Sequence, residues 1–307
     1  MQIYYLLLYF FTYGFLGWCT EVAFATTKQR KFVNRGFLNG PICPIYGVGV
    51  SIVIYFLTPV SDDLLFLYIS STILVTVLEG ITGYLMDKIF HHKWWDYSNQ
   101  PLNIGGYVCL IFSLVWGVAC VVIVKVIHPV IHKLLSMIPF ILGIVILCIL
   151  LVVLFADIYV TASAILKLNR QLDAMERIAA ELRELSDKLG ESIHENVMDT
   201  MESQEERKQK FEEITEEKKQ RFEEITEEGK QKLEEITEES RKRMEEIAEE
   251  SRQKMEAHKE ELRKKYEEIS GQRSRVTSRL VKAFPKMQSR NHKEVLEELK
   301  TMIRSKK

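Results

Sequence analysis

The stretch that decides the fold is Phe140–Leu166, FILGIVILCILLVVLFADIYVTASAIL, which runs directly into KLNRQLDAMERIAAELRELSDKLG, residues 167–190. The first string has a single charge, Asp157, in 27 residues. The second carries a charge almost every other residue. A bilayer core of about 30 Å takes roughly 20 helical residues to cross. Residues 140–166 therefore read as a membrane-spanning helix, and the chemistry changes at its end. Of the 83 Asp, Glu, Lys and Arg residues in the 307-residue chain, 15 lie in Met1–Leu166 and 68 beyond it. The near-zero net charge of −1 averages two unlike halves. The first is too apolar for a water-soluble domain. The second has too few large apolar residues to enclose a globular core of its own.

Working back from Phe140, four more apolar stretches can cross: Ile3–Ala25, Pro41–Leu57, Leu64–Met86 and Tyr107–Val124. The expected fold is all-α, a polytopic membrane protein with five transmembrane helices and a long cytoplasmic tail, either coiled coil or single helix. Helices satisfy their own backbones in lipid, and the alternation of a β-barrel is absent. Ala23-Phe24-Ala25 resembles a signal-peptide cleavage site, but no basic residue precedes the apolar run and Glu21 interrupts it. Orientation follows from Lys and Arg in the connections. Lys28, Arg30, Lys31, Arg35, Lys88, Lys93, Lys167, Arg170 and Arg177 fall on one side, against Lys125 and Lys133 on the other. This bias places the N-terminus outside and the tail in the cytoplasm of an inner-membrane protein. Trp94, Trp95 and Tyr97 then read as interfacial anchors.

The connections carry distinctive strings. Gly14-Phe15-Leu16-Gly17-Trp18 and Glu21 are followed by Lys31-Phe32-Val33-Asn34-Arg35-Gly36-Phe37-Leu38-Asn39-Gly40-Pro41 and Cys43-Pro44-Ile45-Tyr46-Gly47. Leu78-Glu79-Gly80-Ile81-Thr82-Gly83 precedes Trp94-Trp95-Asp96-Tyr97-Ser98, Pro101 and Asn103. Over about residues 1–190 the chain resembles the ABC-transporter type IV (CmpB-like, permease-like) family of bacterial membrane proteins. The resemblance implies a permease-like function acting with other subunits, and it supplies no substrate and no catalytic residues. The chain has no GxxxxGK[ST] phosphate loop, so any ATPase of such a system is a separate subunit.

Three carboxylates interrupt the odd-numbered spans. At 1.5 Å per residue Glu21 lies roughly 27 Å, Glu79 roughly 22 Å and Asp157 roughly 25 Å from the outer ends. They define one candidate intramembrane polar cluster, with Arg35 as counter-ion, that could take an ion, a proton or a substrate group. Alternatively Glu21 and Asp157 reach the headgroups and Glu79 makes a structural hydrogen bond. A second candidate is a structured cytoplasmic-face loop, Asn34, Gly36, Asn39 and Gly40 with Trp95 and Asp96. Phe32, Val33, Phe37 and Leu38 are too apolar for free solvation, so this loop is expected to pack at the membrane face or re-enter between helices.

His91, His92 and Asp96, and separately His128 and His132, lack the partners of a metal site. Pro129 is expected to interrupt the second pair. The five cysteines are odd in number and show no CxxC spacing, which fits buried small hydrophobes. No cofactor is expected, and no nucleophile–base pattern indicates an enzyme.

In the tail, Leu168, Leu172, Met175, Ala179, Leu182 and Leu189 form a heptad stripe, residues 167–190, with Gly190 as an expected break. Residues 191–270 carry an 11-residue repeat opened by Phe211, Phe222, Leu233, Met244, Met255 and Tyr266. It reads either as a coiled coil that self-associates or as a lone charged helix. Residues 271–307 form a basic amphipathic segment, with Arg273, Arg275, Arg279, Lys282, Lys286, Arg290 and Lys293 beside Val276, Leu280, Phe284 and Met287. Anionic lipid, an acidic partner helix and, more weakly, nucleic acid suit it. An unbroken helix through the repeat would hold this segment far from its own membrane. The competing reading of the whole is a membrane-anchored coiled-coil scaffold that recruits or spaces a cytoplasmic partner.

Overall fold

The computed structural model describes residues 2–217, 227–272 and 274–305. The chain divides into two compact units, Met1–Asp173 with Gln272–Lys307, and Ala174–Gly271.

In the first unit, α1 (Gln2–Gln29) is followed by a loop and then α2 (Pro44–Leu57), which continues as a 3₁₀ turn, Thr58–Val60. Next come α3 (Leu64–Phe90), the short strands β1 (His92–Lys93), β2 (Asn103–Ile104) and β3 (Val108–Cys109), and α4 (Leu110–Val122). A π-helical turn, Ile123–Ile127, joins α4 to α5 (His128–Ser136). Last is the start of α6 (Phe140–Glu217). Four helical stretches are long and apolar enough to cross a membrane: Gln2–Gln29, Leu64–Phe90, Leu110–Ser136 and Phe140–Glu191. Pro44–Val60 is a shorter apolar helix.

Two boundaries differ from the sequence expectation. The fourth stretch does not end near Val124 but runs to Ser136. Pro129 cannot donate a backbone hydrogen bond, and the π turn just before it absorbs the mismatch without ending the helix. Nor does α6 break at Gly190; it continues to Glu217.

α1 and α2 run antiparallel. Cys43 N–H donates to Gly14 O at 2.9 Å, and Ser51 Oγ to Leu6 O at 3.4 Å. A side chain at Gly47 would collide with the Phe10 backbone oxygen, so glycine is what allows this approach. α2 therefore starts level with the middle of α1. The connecting loop turns back along the second half of α1, which is why α2 is short. α3 and α4 pair likewise, Gly117 lying where a Cβ would meet Thr72 and Tyr68. Leu8 and Phe11 of α1 pack with Leu38 of the loop and with Leu147 and Leu154 of α6. Large apolar side chains such as Leu65, Ile73, Val77, Val152 and Phe155 are exposed outward while polar groups are buried, the inverse of a water-soluble protein. This is a membrane protein.

The chain's end belongs to this same unit. α8 (Arg275–Ala283) starts at Ser274, whose hydroxyl accepts from Thr277 N–H at 2.9 Å. Strand β4 (Gln288–Ser289) pairs antiparallel with β1, His92 opposite Ser289. α9 (Lys293–Ser305) then buries Val295, Leu296, Leu299 and Ile303. Leu280 and Met287 are also fully enclosed. The expectation that this basic segment stands far from the membrane domain is corrected. Its apolar face, too small to close a core alone, is completed by the membrane domain.

In the second unit, α6 from Ala174 and α7 (Glu227–Gly271) lie side by side, with His258 Nε2 3.2 Å from Glu181 Oε1. Repeat positions Met255, Tyr266 and Ile269 are half-buried and Leu262 is buried. Phe222 lies outside the described residues, and nothing is described of the Phe211, Leu233 and Met244 side chains.

Candidate functional site

The loop between α1 and α2 is held by side chains whose geometry is specified one by one. Asn34 receives Trp18 Nε1–H at 2.8 Å and Gly36 N–H at 3.1 Å on its Oδ1, and its Nδ2 donates to Asn39 O at 2.8 Å. Asp157, on α6, accepts from Asn39 N–H at 3.0 Å, Asn39 Nδ2 at 2.9 Å, Gly40 N–H at 2.6 Å and Thr161 Oγ1 at 3.2 Å. The N–H groups of an irregular backbone among apolar helices need acceptors brought to them, and Asp157 brings them.

The loop's free carbonyls are met from the far end of the sequence. Arg279 donates through Nη1 to Gly36 O at 2.7 Å, through Nη2 to Phe37 O at 2.9 Å and through Nε to Asn39 Oδ1 at 3.1 Å. The planar guanidinium suits three acceptors arranged as a fork. Burial pulls Arg279 below its ordinary range while Asp157 acts in the opposite sense. Arg279 is the principal residue that sequence reasoning missed. It showed only as one of several cations on an amphipathic face, and no periodicity relates position 279 to position 36.

Around this knot the docked segment makes further contacts. Phe284 meets Trp94 edge-on at 5.1 Å, and Trp94 meets Phe37 at 5.1 Å. Trp94 is buried and serves as packing rather than as an interfacial anchor. Arg290 N–H donates to His91 O at 2.9 Å, and its guanidinium lies 3.8 Å from Asp87. Asp87 also accepts from Tyr107 OH at 2.7 Å, which together with burial holds that phenol above its usual range. His292 lies 2.9 Å from Asp173. The His92 ring is fully enclosed, and burial pushes it down to about 4, so it is neutral at pH 7.

The sequence-derived residues fall into three places. Asn34, Gly36, Asn39 and Gly40 converge with Asp157. Glu21 and Arg35 pair at 3.1 Å, and Tyr46 OH donates to Glu21 at 2.8 Å. Glu79 lies apart from Asp157 and its network, nine-tenths buried, with Tyr97 OH 3.4 Å from Oε1 and no partner for Oε2. Burial first, then Glu79, raises the Tyr97 phenol well above its usual range. Trp95 and Asp96 sit elsewhere. Trp95 Nε1 donates to Tyr107 O at 2.8 Å, and Asp96 accepts from Ser98 N–H at 3.0 Å in a local turn. That turn holds Asp96 below the ordinary carboxylate range, chiefly through the Ser98 hydroxyl. Nor do His91 and His92 converge on Asp96: His91 caps α3 in the left-handed conformation with φ 57°. His128 and His132 face Tyr13 and Tyr9 at 3.2 and 2.6 Å.

A family model described as Putative ABC-transporter type IV matches residues 8–162. The chain belongs to this family. The match takes in the whole re-entrant loop, Glu21, Glu79 and Asp157. The docked C-terminal segment with Arg279 and Arg290 lies outside it. No curated protein and no solved structure matches the chain significantly.

Proposed function

We propose that the chain is a permease-like subunit of the inner membrane, multi-pass, with five crossings, its N-terminus outside and its tail in the cytoplasm. Glu79 carries this reading: a carboxylate nine-tenths buried among apolar helices, with one oxygen unpartnered, inside the segment that matches the family. Such a group is costly in lipid and in transport proteins marks the path of an ion or substrate. α2 supplies the fifth crossing because the re-entrant loop covers the rest of the depth, and the nine-to-two distribution of basic residues sets the orientation. The chain itself is not an enzyme. Chemical energy, where it is used, comes from a separate ATPase subunit that meets the cytoplasmic face.

The side-by-side placement of α6 and α7 supports a second reading, a membrane-anchored scaffold. Its stripes would form an antiparallel coiled coil within one chain, presenting a charged surface to a cytoplasmic partner. Further copies of the chain, lipid or nucleic acid would meet it there.

Purification of the full chain in mild detergent from its native membrane separates the two. The permease reading expects a nucleotide-binding chain to copurify, also after residues 191–270 are shortened. Loss of every partner on that shortening favours the scaffold.

A further inference from the structure

Glu79 and Asp157 are both carboxylates in apolar helices, yet only Asp157 has its charge compensated. Asp157 accepts four hydrogen bonds, two from backbone N–H groups. Glu79 has a single long one, from Tyr97, and its other oxygen has none. Among the described residues no cation is paired with Glu79 or Tyr97; the Tyr97 ring stacks on Phe112 at 5.0 Å and its hydroxyl meets Glu79. Arg35, the counter-ion expected from the sequence, is paired with Glu21 instead. From its neighbours, Gly80 faces Val108 and Leu78 faces Gly49, which bring no charge.

A buried charge left this way costs several kcal/mol, and a bound cation would remove the cost. The surroundings restrict which cation. A metal ion takes about four to eight donor atoms, and an ammonium group offers three hydrogens that need acceptors. Here one free carboxylate oxygen and one phenol are on offer. A proton needs one oxygen.

We infer that Glu79 is a proton-binding site within the membrane domain, reached through the hydroxyl of Tyr97. The inference rests on the membrane-permease reading and deepens it by naming the proton as the ion this site takes. Tyr97 donates to Glu79. The Tyr97 oxygen accepts one proton as it gives up its own, so the step conserves protons and moves no electrons. The proton ends on Glu79, neutralising it.

The test is infrared difference spectroscopy on the full chain in lipid nanodiscs, with pH steps and exchange into D2O. A protonated-carboxyl C=O band is expected that shifts in D2O and fades as pH rises. Glu79→Gln should remove it and Asp157→Asn should leave it. Tyr97→Phe should keep the band but slow its exchange at least several-fold. If Glu79→Gln yields too little protein, Glu79→Asp should move the band's frequency. A band that survives Glu79→Gln, does not move in Glu79→Asp or is absent at every pH overturns the inference. The measurement needs neither ATPase nor substrate. A missing ATPase would leave this result standing, and a missing band would leave the subunit question as it was.

Discussion

Asp157 and Glu79 look alike in the sequence, each a lone carboxylate in an apolar run at similar depth, and the structure puts them to opposite uses. Asp157 is saturated: it organises Asn39, Gly40 and Thr161, and Arg279 closes the same loop from outside. Glu79 is nearly bare. A charge in a membrane segment can thus be there to hold irregular backbone, or to be available. What separates the two is the count of hydrogen-bond partners.

The sharpest way to break the saturated side is at Arg279. Arg279→Ala removes all three bonds of a partly buried charged donor together, which should cost about 2–5 kcal/mol of docking. Labels at exposed Lys31 and Lys282 would report separation of α8 from the loop as a broadened distance distribution. Arg279→Lys should restore little, because an ammonium cannot span three acceptors in a plane.

Acid should loosen the same interface next. His92 has its pKa depressed from 6.5 to about 4. The undocked state therefore takes up the proton first. Docking is at full strength above about pH 6.5, weakens as pH falls towards 4 and levels off below it, with a total loss of about 3 kcal/mol at most. The Lys31–Lys282 distance should broaden over that window, and His92→Phe should flatten the dependence.

On the bare side, Tyr97→Phe deletes one long hydrogen bond. Thermal unfolding should register less than about 1 kcal/mol, in contrast to its effect on Glu79 exchange. Smallest is Glu181→Ala in the second unit. Its partner His258 is 44% exposed, so the change should stay below about 0.5 kcal/mol by chemical denaturation of the full chain.

The apolar layer was legible from residue types because about 20 apolar residues in a row have few other uses. Lys125, His128, Pro129 and Lys133 hid the end of the fourth stretch, since a π turn that accommodates a proline leaves no sequence mark. Asn34, Gly36, Asn39 and Gly40 stood out as turn formers amid bulky apolar neighbours, and the structure brings them together with Asp157 in the loop between α1 and α2. Their partner did not stand out. The heptad stripe Leu168–Leu189 says that a face will be buried, but not that the chain reverses and brings residue 279 back to residue 36. Asp87 was overlooked because it falls just past the apolar stretch, where a carboxylate calls for no explanation.

The most direct test of the contrast compares thermal unfolding of purified Asp157→Asn and Glu79→Gln in the same detergent. At Asp157 the amide keeps one acceptor oxygen but puts an NH2 where either Gly40 N–H, on Oδ2, or the Asn39 donors, on Oδ1, need an acceptor, so a donor meets a donor. At Glu79 the amide removes a charge that had almost no partners. The account predicts a midpoint several degrees below wild type for Asp157→Asn, and one at or above wild type for Glu79→Gln. The reverse order would contradict it, showing Glu79 to be the structural carboxylate and Asp157 the dispensable one.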